Sequence, residues 1–302
     1  MTNTQEITER NFKKSFSDWY DKYYKLLLVI PIILFLLSLF YLGYMYQKTG
    51  NFVEKDISLT GGTSITIQGD TSESFESQLK GSFPDISVRK LTDLRTGETT
   101  SFIVETSTTP EEIKPEIERI LSYKLDEKNS NIEFTGSSLS LSFYKQLIIA
   151  LVISFILMSI VVFFLFKTFI PSIAVIFAAL ADIIMSLAIV NVIGLKLSAA
   201  GIAAFLMLVG YSVDTDILLT TRALKRRDLA LNKRLFGAFK TGVLMTLTAL
   251  IAVSPIFFIS TGIPDSFRQI FIILAIGLSA DLINTWLTNA SIIKWYCEVK
   301  KI

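Results

Sequence analysis

The sequence predicts a polytopic α-helical membrane protein with six spans and one α+β domain, ferredoxin-like in its βαββαβ order, set between spans 1 and 2. Three observations carry this reading. Of the 302 residues 51% are hydrophobic and only 19% are charged, with a mean hydropathy of +0.52, a balance too apolar for one soluble domain of this length. The apolar residues gather in six runs of roughly 20, each long enough at about 1.5 Å per residue to cross a hydrocarbon layer of about 30 Å. Between the first two runs the sequence turns β-branched, partly alternating and rich in charge.

The runs are 26–46 (span 1), 146–166 (span 2), 170–193 (span 3), 197–218 (span 4), 243–262 (span 5) and 268–292 (span 6). Residues 1–25 are polar, and span 1 shows no small-residue cleavage site, so it reads as a retained anchor and not a signal peptide. Lys and Arg number five before span 1, one in 167–169 and three in the 293–302 tail. Seven more lie between spans 4 and 5, in the 219–242 loop: Arg222, Lys225, Arg226, Arg227, Lys233, Arg234 and Lys240. The short loops of the opposite side hold only Lys196 and Arg268. By the positive-inside rule both termini and the basic loop are cytoplasmic, and 47–145 is extracytoplasmic. The chain is expected in the cell membrane, with membrane lipid as its surroundings; anionic lipid or a ribosome-type partner is a weaker use for the basic 222–234 run.

The 47–145 segment carries 11 basic and 16 acidic residues, an ordinary soluble balance. Residues 56–68 are β-branched and partly alternating, 72–83 form a short helix, and 85–94 and 98–106 are strands joined by the turn signal Thr96-Gly97. Thr109-Pro110 opens a second helix, where Pro suits the first turn and Glu111 and Glu112 suit the positive end of the dipole. That helix is expected to reach Asp126, and a last strand lies near 131–139.

Composition also excludes. With no His and one Cys (Cys297) there is no imidazole base, no internal disulfide and no thiolate metal cluster, so no metal and no cofactor is expected. A net charge of +2 offers nothing to nucleic acid. No activated nucleophile or base constellation supports an enzyme.

What remains is a set of carboxylates at membrane depth: Asp182 in span 3, Asp214 and Asp216 in span 4, and Asp281 in span 6. A charge near the bilayer centre costs at least about 2.5 kcal/mol, so such residues face a bundle interior or a wet cavity and mark ion paths, or are protonated packing groups. Asp182 and Asp281 lie 12 and 13 residues into their spans, which places both near mid-membrane; Asp214 falls in the cytoplasmic half. Asp214 and Asp216 are about 200° apart on a helix, so one of them faces spans 3 and 6 and the other a second subunit or a cavity. On span 6, Asp281, Asn284, Thr285 and Thr288 fall at i, i+3, i+4 and i+7, a continuous polar stripe that serves either an ion path or interhelical hydrogen bonding. The run Ala199-Ala200-Gly201-Ile202-Ala203-Ala204, small but for Ile202, permits close packing in the outer half of span 4. Gly61-Gly62 lacks the Lys-Ser/Thr of a phosphate loop and reads as a bulge or tight backbone approach.

One span, a βαββαβ domain and five more spans, with Gly61-Gly62-Thr63 and the run GYSVDTDILLTTR at 210–222, resemble the SecF subunits of the SecD/SecF protein-export family, within the resistance-nodulation-division superfamily. The resemblance covers nearly all of the chain beyond its first 25 or so residues. Where that family carries Asp-Phe-x-Gly-Gly, this chain has Ser58, Leu59, Thr60, Gly61 and Gly62, so the acidic residue is missing. The family's His-Asp of span 3 becomes Ala181-Asp182. Of the bacterial Gly-Tyr-Ser-x-Asn-Asp in span 4, Gly210, Tyr211 and Ser212 match, Asp214 stands at the Asn and Thr215 at the Asp. Val213-Asp214 is similar instead to the Val-Asp of SecD, where that Asp is implicated in proton conduction, and the Asp-x-Asp form looks archaeal. The family's Arg at the start of span 5 is replaced by Lys240, which keeps the charge and loses the bidentate fork.

The resemblance implies a subunit that assists protein export with the proton motive force, partnered by a SecD-like subunit, the Sec translocon channel and the exported polypeptide. Asp214 is then the expected proton-binding site, Asp182 and Asp281 are relay or counter-groups, and Asp216 faces the partner; Arg222, Lys240, Asn284 and Thr285 support them. The field supplies about 2.3 kcal/mol per charge per 100 mV, enough for one proton to bias a domain equilibrium. The alternatives are a non-transporting scaffold of a translocon complex and half of a small-molecule efflux transporter.

Overall fold

The computed structural model describes residues 20–71, 73–92, 98–225, 229–257 and 265–301. Six helices in it are long and apolar enough to cross a membrane: Tyr20–Thr49, Leu139–Phe166, Phe169–Val192, Ala199–Lys225, Leu231–Ile256 and Ser266–Lys300. Spans 3, 4 and 6 are the most buried of these, whereas spans 1 and 2 expose most of their side chains, as helices ringed by lipid can.

The helices outrun the apolar stretches that mark them. Span 2 belongs to a helix of 30 residues starting at Ser137, where residue 146 was expected, because the extended Gly136 that follows the last strand is already the helix N-cap. Spans 4 and 5 run to Lys225 and back from Leu231, so most of the expected 219–242 loop is helical. The expected 293–302 tail is helix as far as Lys300. Hydropathy marks where lipid ends, but a backbone ladder continues into water wherever side chains allow it. The basic residues Arg226 and Arg227, and those before residue 20, lie outside the described residues.

Between spans 1 and 2 come a helical turn Ile57–Thr60, β1 (Gly62–Gln68), α1 (Glu73–Ser82), β2 (Ser87–Thr92), β3 (Thr99–Thr106), α2 (Pro110–Leu121) and β4 (Ser130–Thr135). The sheet order is β2-β3-β1-β4 with every neighbouring pair antiparallel, the ferredoxin-like arrangement. Ile65 opposes Val104 on one side and Ile132 on the other, and Ile67 opposes Phe102. These apolar residues meet Phe75 and Leu79 of α1 and Ile113 and Ile117 of α2 in one core. Three boundaries differ from expectation. Residues 57–60 are a helical turn capped by the Asp56 carboxylate and not strand. The helix α2 stops at Leu121 because Ser122 turns left-handed at φ 61°. The last strand stops at Thr135, where the helix of span 2 takes over. The turn at Thr96-Gly97 lies outside the described residues.

The domain is tied to the loop between spans 3 and 4. Leu197 donates its N–H to Glu54 O at 2.7 Å, Asp56 donates to Leu197 O at 2.9 Å, and Asn191 Nδ2 donates to Phe52 O at 3.1 Å. Ala199 N, at the start of span 4, donates to Ser58 Oγ at 3.1 Å, so the Ser58 hydroxyl caps a spanning helix. Glu105 of β3, almost fully buried, is gripped by Arg89 at 3.0 Å and by Lys196 of the same loop. Burial pushes its carboxyl up, but the two cations more than offset this and hold it below the usual carboxylate range. Gly61 and Gly62 adopt φ 88° and 133°, and a Cβ on Gly62 would lie 2.3 Å from Thr106 O, which is why the tight approach read from sequence needs glycine there.

Candidate functional site: a buried carboxylate cluster

Spans 3, 4 and 6 bring Asp182, Asp216 and Asp281 together, each with no exposed surface. Asp182 has both oxygens engaged: Asn284 Nδ2 donates to Oδ1 at 2.7 Å and Ser212 Oγ donates to Oδ2. Thr285 Oγ1 lies 2.9 Å from Asp281 Oδ1 and 2.9 Å from Asp216 Oδ1. Asn289 Nδ2 donates to the same Asp216 oxygen at 2.7 Å, and Thr215 Oγ1 reaches Asp281 Oδ2 at 3.4 Å. The cluster is therefore two linked parts, Ser212–Asp182–Asn284 and Thr215–Asp281–Thr285–Asp216–Asn289.

A change of helix type makes this possible. Span 6 is α-helical over Asp265–Ile283, becomes a π-helix over Asn284–Asn289, and resumes as α-helix at Ala290. In an ideal α-helix, residues four apart drift around the axis, so Asp281, Thr285 and Asn289 would fan out. The wider π turn, closed by Ala290 N–H to Thr285 O, rotates less per residue and keeps Asn289 toward span 4. Close packing supports it, since a Cβ on Gly242 of span 5 would fall 2.4 Å from Trp286 and 2.9 Å from Thr215.

The two acids of span 4 exchange the places expected of them. Asp216 is the one facing spans 3 and 6, and Asp214 is exposed on the outside of the bundle. Met207, Gly210, Tyr211 and Asp214, spaced i, i+3, i+4 and i+7, form that outer stripe. Of the matched motif, Ser212 points inward to Asp182 while Gly210 and Tyr211 lie on the exposed side. Asn284 and Thr285 join the cluster; Thr288 is buried with its hydroxyl unpartnered among the described residues. Lys240 is exposed, and Arg222 binds Gly237 O at 2.5 Å and Thr241 Oγ1 at 2.9 Å, bracing span 4 against span 5.

Sequence reasoning missed two features. Asn289 is a polar residue one position beyond the i+7 of the stripe, visible only as an amide in an apolar run. Lys294, counted as a tail charge, is fully buried, paired with Asp21 of span 1 and with Glu298 at 3.3 Å, and bonded to Asn232 of span 5 at 2.9 Å. It binds the ends of three spans at the face of the bundle opposite the soluble domain.

A six-span bundle with carboxylates buried at its centre and a ferredoxin-like domain strapped to one end defines a class of membrane protein built around an intramembrane polar site. Comparison with known proteins narrows it. The family model described as protein export membrane protein SecD/SecF, C-terminal, matches residues 117–299. A protein-export membrane protein SecF of Methanolacinia petrolearia is 38% identical over 276 residues, 91% of this chain and 94% of its own. One from Methanocaldococcus jannaschii is 36% identical over 283 residues, 91% and 96% of the two chains. The chain belongs to the SecD/SecF family of protein-export membrane proteins. Its fold is shared by the crystal structure of SecDF, a translocon-associated membrane protein from Thermus thermophilus, at a TM-score of 0.72 and 18% identity; the match covers 92% of this chain and 38% of that longer one. SecDF in its super-membrane-facing form gives a TM-score of 0.56 at 20% identity, again over 38% of the longer chain.

Proposed function

We propose that this chain is the SecF-type subunit of an export accessory complex, which uses the ion gradient across the cell membrane to assist polypeptide export. The observation that carries the reading is the convergence of Asp182, Asp216 and Asp281, fully buried, from three spans. Like charges so close in a medium of low dielectric resist ionising together, so the cluster's proton or cation content responds to the gradient. Span 4 starts at the strap that holds the soluble domain, so a shift of that helix moves the domain. Both termini lie in the cytoplasm, 47–145 lies outside and engages the emerging polypeptide, and the complex adjoins the Sec translocon channel.

Asp214 takes the partner-facing role: a carboxylate on the lipid side of a span is costly, so the Met207–Asp214 stripe is covered by a SecD-like subunit. The test is export into membrane vesicles carrying the complex, with and without a proton gradient. Asp216→Asn is expected to remove the gradient-dependent part of the rate. Full stimulation in that variant would leave the cluster a structural hydrogen-bond core and the chain a scaffold.

A further inference from the structure

The bridge through Thr285 imposes a proton count. A hydroxyl holds one hydrogen and donates once, so its second short contact has to be accepted from a donor. Thr285 Oγ1 makes two contacts of 2.9 Å, to Asp281 Oδ1 and Asp216 Oδ1, and an ionised carboxylate donates nothing. With both acids ionised, one contact would set lone pair against lone pair between two like charges in a buried site of low dielectric. Among the described residues the other neighbours supply no donor to Thr285 Oγ1: the hydroxyls of Ser212, Thr215 and Thr246 lie against Asp281. From span 3, Asp182 is engaged by Ser212 and Asn284. From span 4, Arg222 is turned to Gly237 O and Thr241, and from span 5, Arg234 binds Ala223 O while Lys240 is exposed. Asn289 donates to the Asp216 oxygen that Thr285 already touches. Among the described residues Asp216 Oδ2 is buried without a hydrogen-bond partner, a place where a neutral acid costs far less than an ion.

We propose that Asp281 and Asp216 share one proton through Thr285, which is the switching hydroxyl of the path; the proposal rests on the ion-coupling reading above. In one arrangement, the less stable of the two because Asp216 Oδ2 has no donor among the described residues, Asp281 Oδ1–H donates to Thr285 Oγ1, and Thr285 donates to Asp216 Oδ1. In the step, the Asp281 O–H bond breaks as its proton bonds Thr285 Oγ1, and the original Thr285 O–H bond breaks as that hydrogen bonds Asp216 Oδ1. Each electron pair stays on the oxygen that gave up its proton. Asp281 ends as carboxylate, Asp216 as acid, and Thr285 as a hydroxyl turned the other way. One proton has passed from span 6 to span 4 with no co-reactant. The order Asp281, Thr285, Asn289 along span 6 leads away from the soluble domain, so the transfer has a component along the membrane normal.

Two measurements test this on the intact complex. Infrared difference spectra of the wild type against Asp281→Asn should show loss of a protonated carboxylic acid band, because the new amide supplies the donor that the proton supplied. Absence of any acid band in that difference overturns the shared proton, whatever the export variants do. The second is the ratio of export rates with and without a gradient, followed against pH. Thr285→Val should lose the stimulation across the pH range and Thr285→Ser should keep it. Stimulation surviving in Thr285→Val but lost in Asp216→Asn removes the relay and leaves ion coupling standing; survival in both removes the ion-coupling reading itself. If Thr285→Val does not assemble, loss of stimulation in an assembled Thr285→Ser overturns the relay and retention supports it.

Discussion

Asp214 and Asp216 are two residues apart with the same side chain, and their surroundings separate them completely. Asp216 accepts from Thr285 and Asn289 within the bundle, whereas Asp214 shares the outer face with Tyr211. Their substitutions should divide accordingly. Asp214→Leu is expected to reduce co-purification of the SecD-like subunit, because it exchanges a group that needs a polar partner for one content in lipid. Asp216→Asn should retain the partner and lose gradient stimulation, since an amide fits the same hydrogen bonds but cannot take up a proton. Pull-down of the tagged complex beside vesicle export reads both; equal partner loss in the two variants would count against this division of roles.

At the scale of elements, span 6 is the decisive piece, because its π segment aims Asn284, Thr285 and Asn289 at two other helices. That segment is held by Trp286, whose ring edge meets Phe239 at 5.1 Å between centroids and closes against Gly242. Gly242→Ala forces a methyl into both the Trp286 ring and Thr215, an overpacking worth about 1–3 kcal/mol. It should lower the thermal unfolding midpoint of the detergent-purified protein and weaken gradient stimulation together, while Gly43→Ala, where a Cβ meets nothing within 4 Å, should do neither. The π segment is absent from any reading by a 3.6-residue period, which found Asn284 and Thr285 but placed the end of the stripe at Thr288.

For the whole molecule the question is how the bundle holds its soluble domain. Lys196 belongs to the loop before span 4, Arg89 and Glu105 belong to the sheet, and the carboxylate joins the two bodies. The carboxyl is held below its ordinary range, so its contribution is present in full above the ordinary Glu value, about 4.3, and is lost as pH falls through the lower folded value. Limited proteolysis of the junction should show the wild type loosening only in that acid window. Glu105→Gln should be looser already at neutral pH, by about 1–3 kcal/mol, with little further acid response at this joint. Identical pH profiles for the two proteins would remove Glu105 as the tie.

Six apolar runs, the βαββαβ order and the glycine pair were legible from residues 26 to 292 because hydrophobic length, strand alternation and backbone freedom are local properties, written wherever they act. The carboxylates were legible as a set for the same reason, each being costly in lipid by itself. The helix ends past the membrane, the inward choice of Asp216 over Asp214, the arrival of Asn289 and the burial of Lys294 were decided only in the tertiary structure. Each depends on which helix stands opposite and on how one turn of span 6 is wound, and a partner's position is not a property of the residues that meet it.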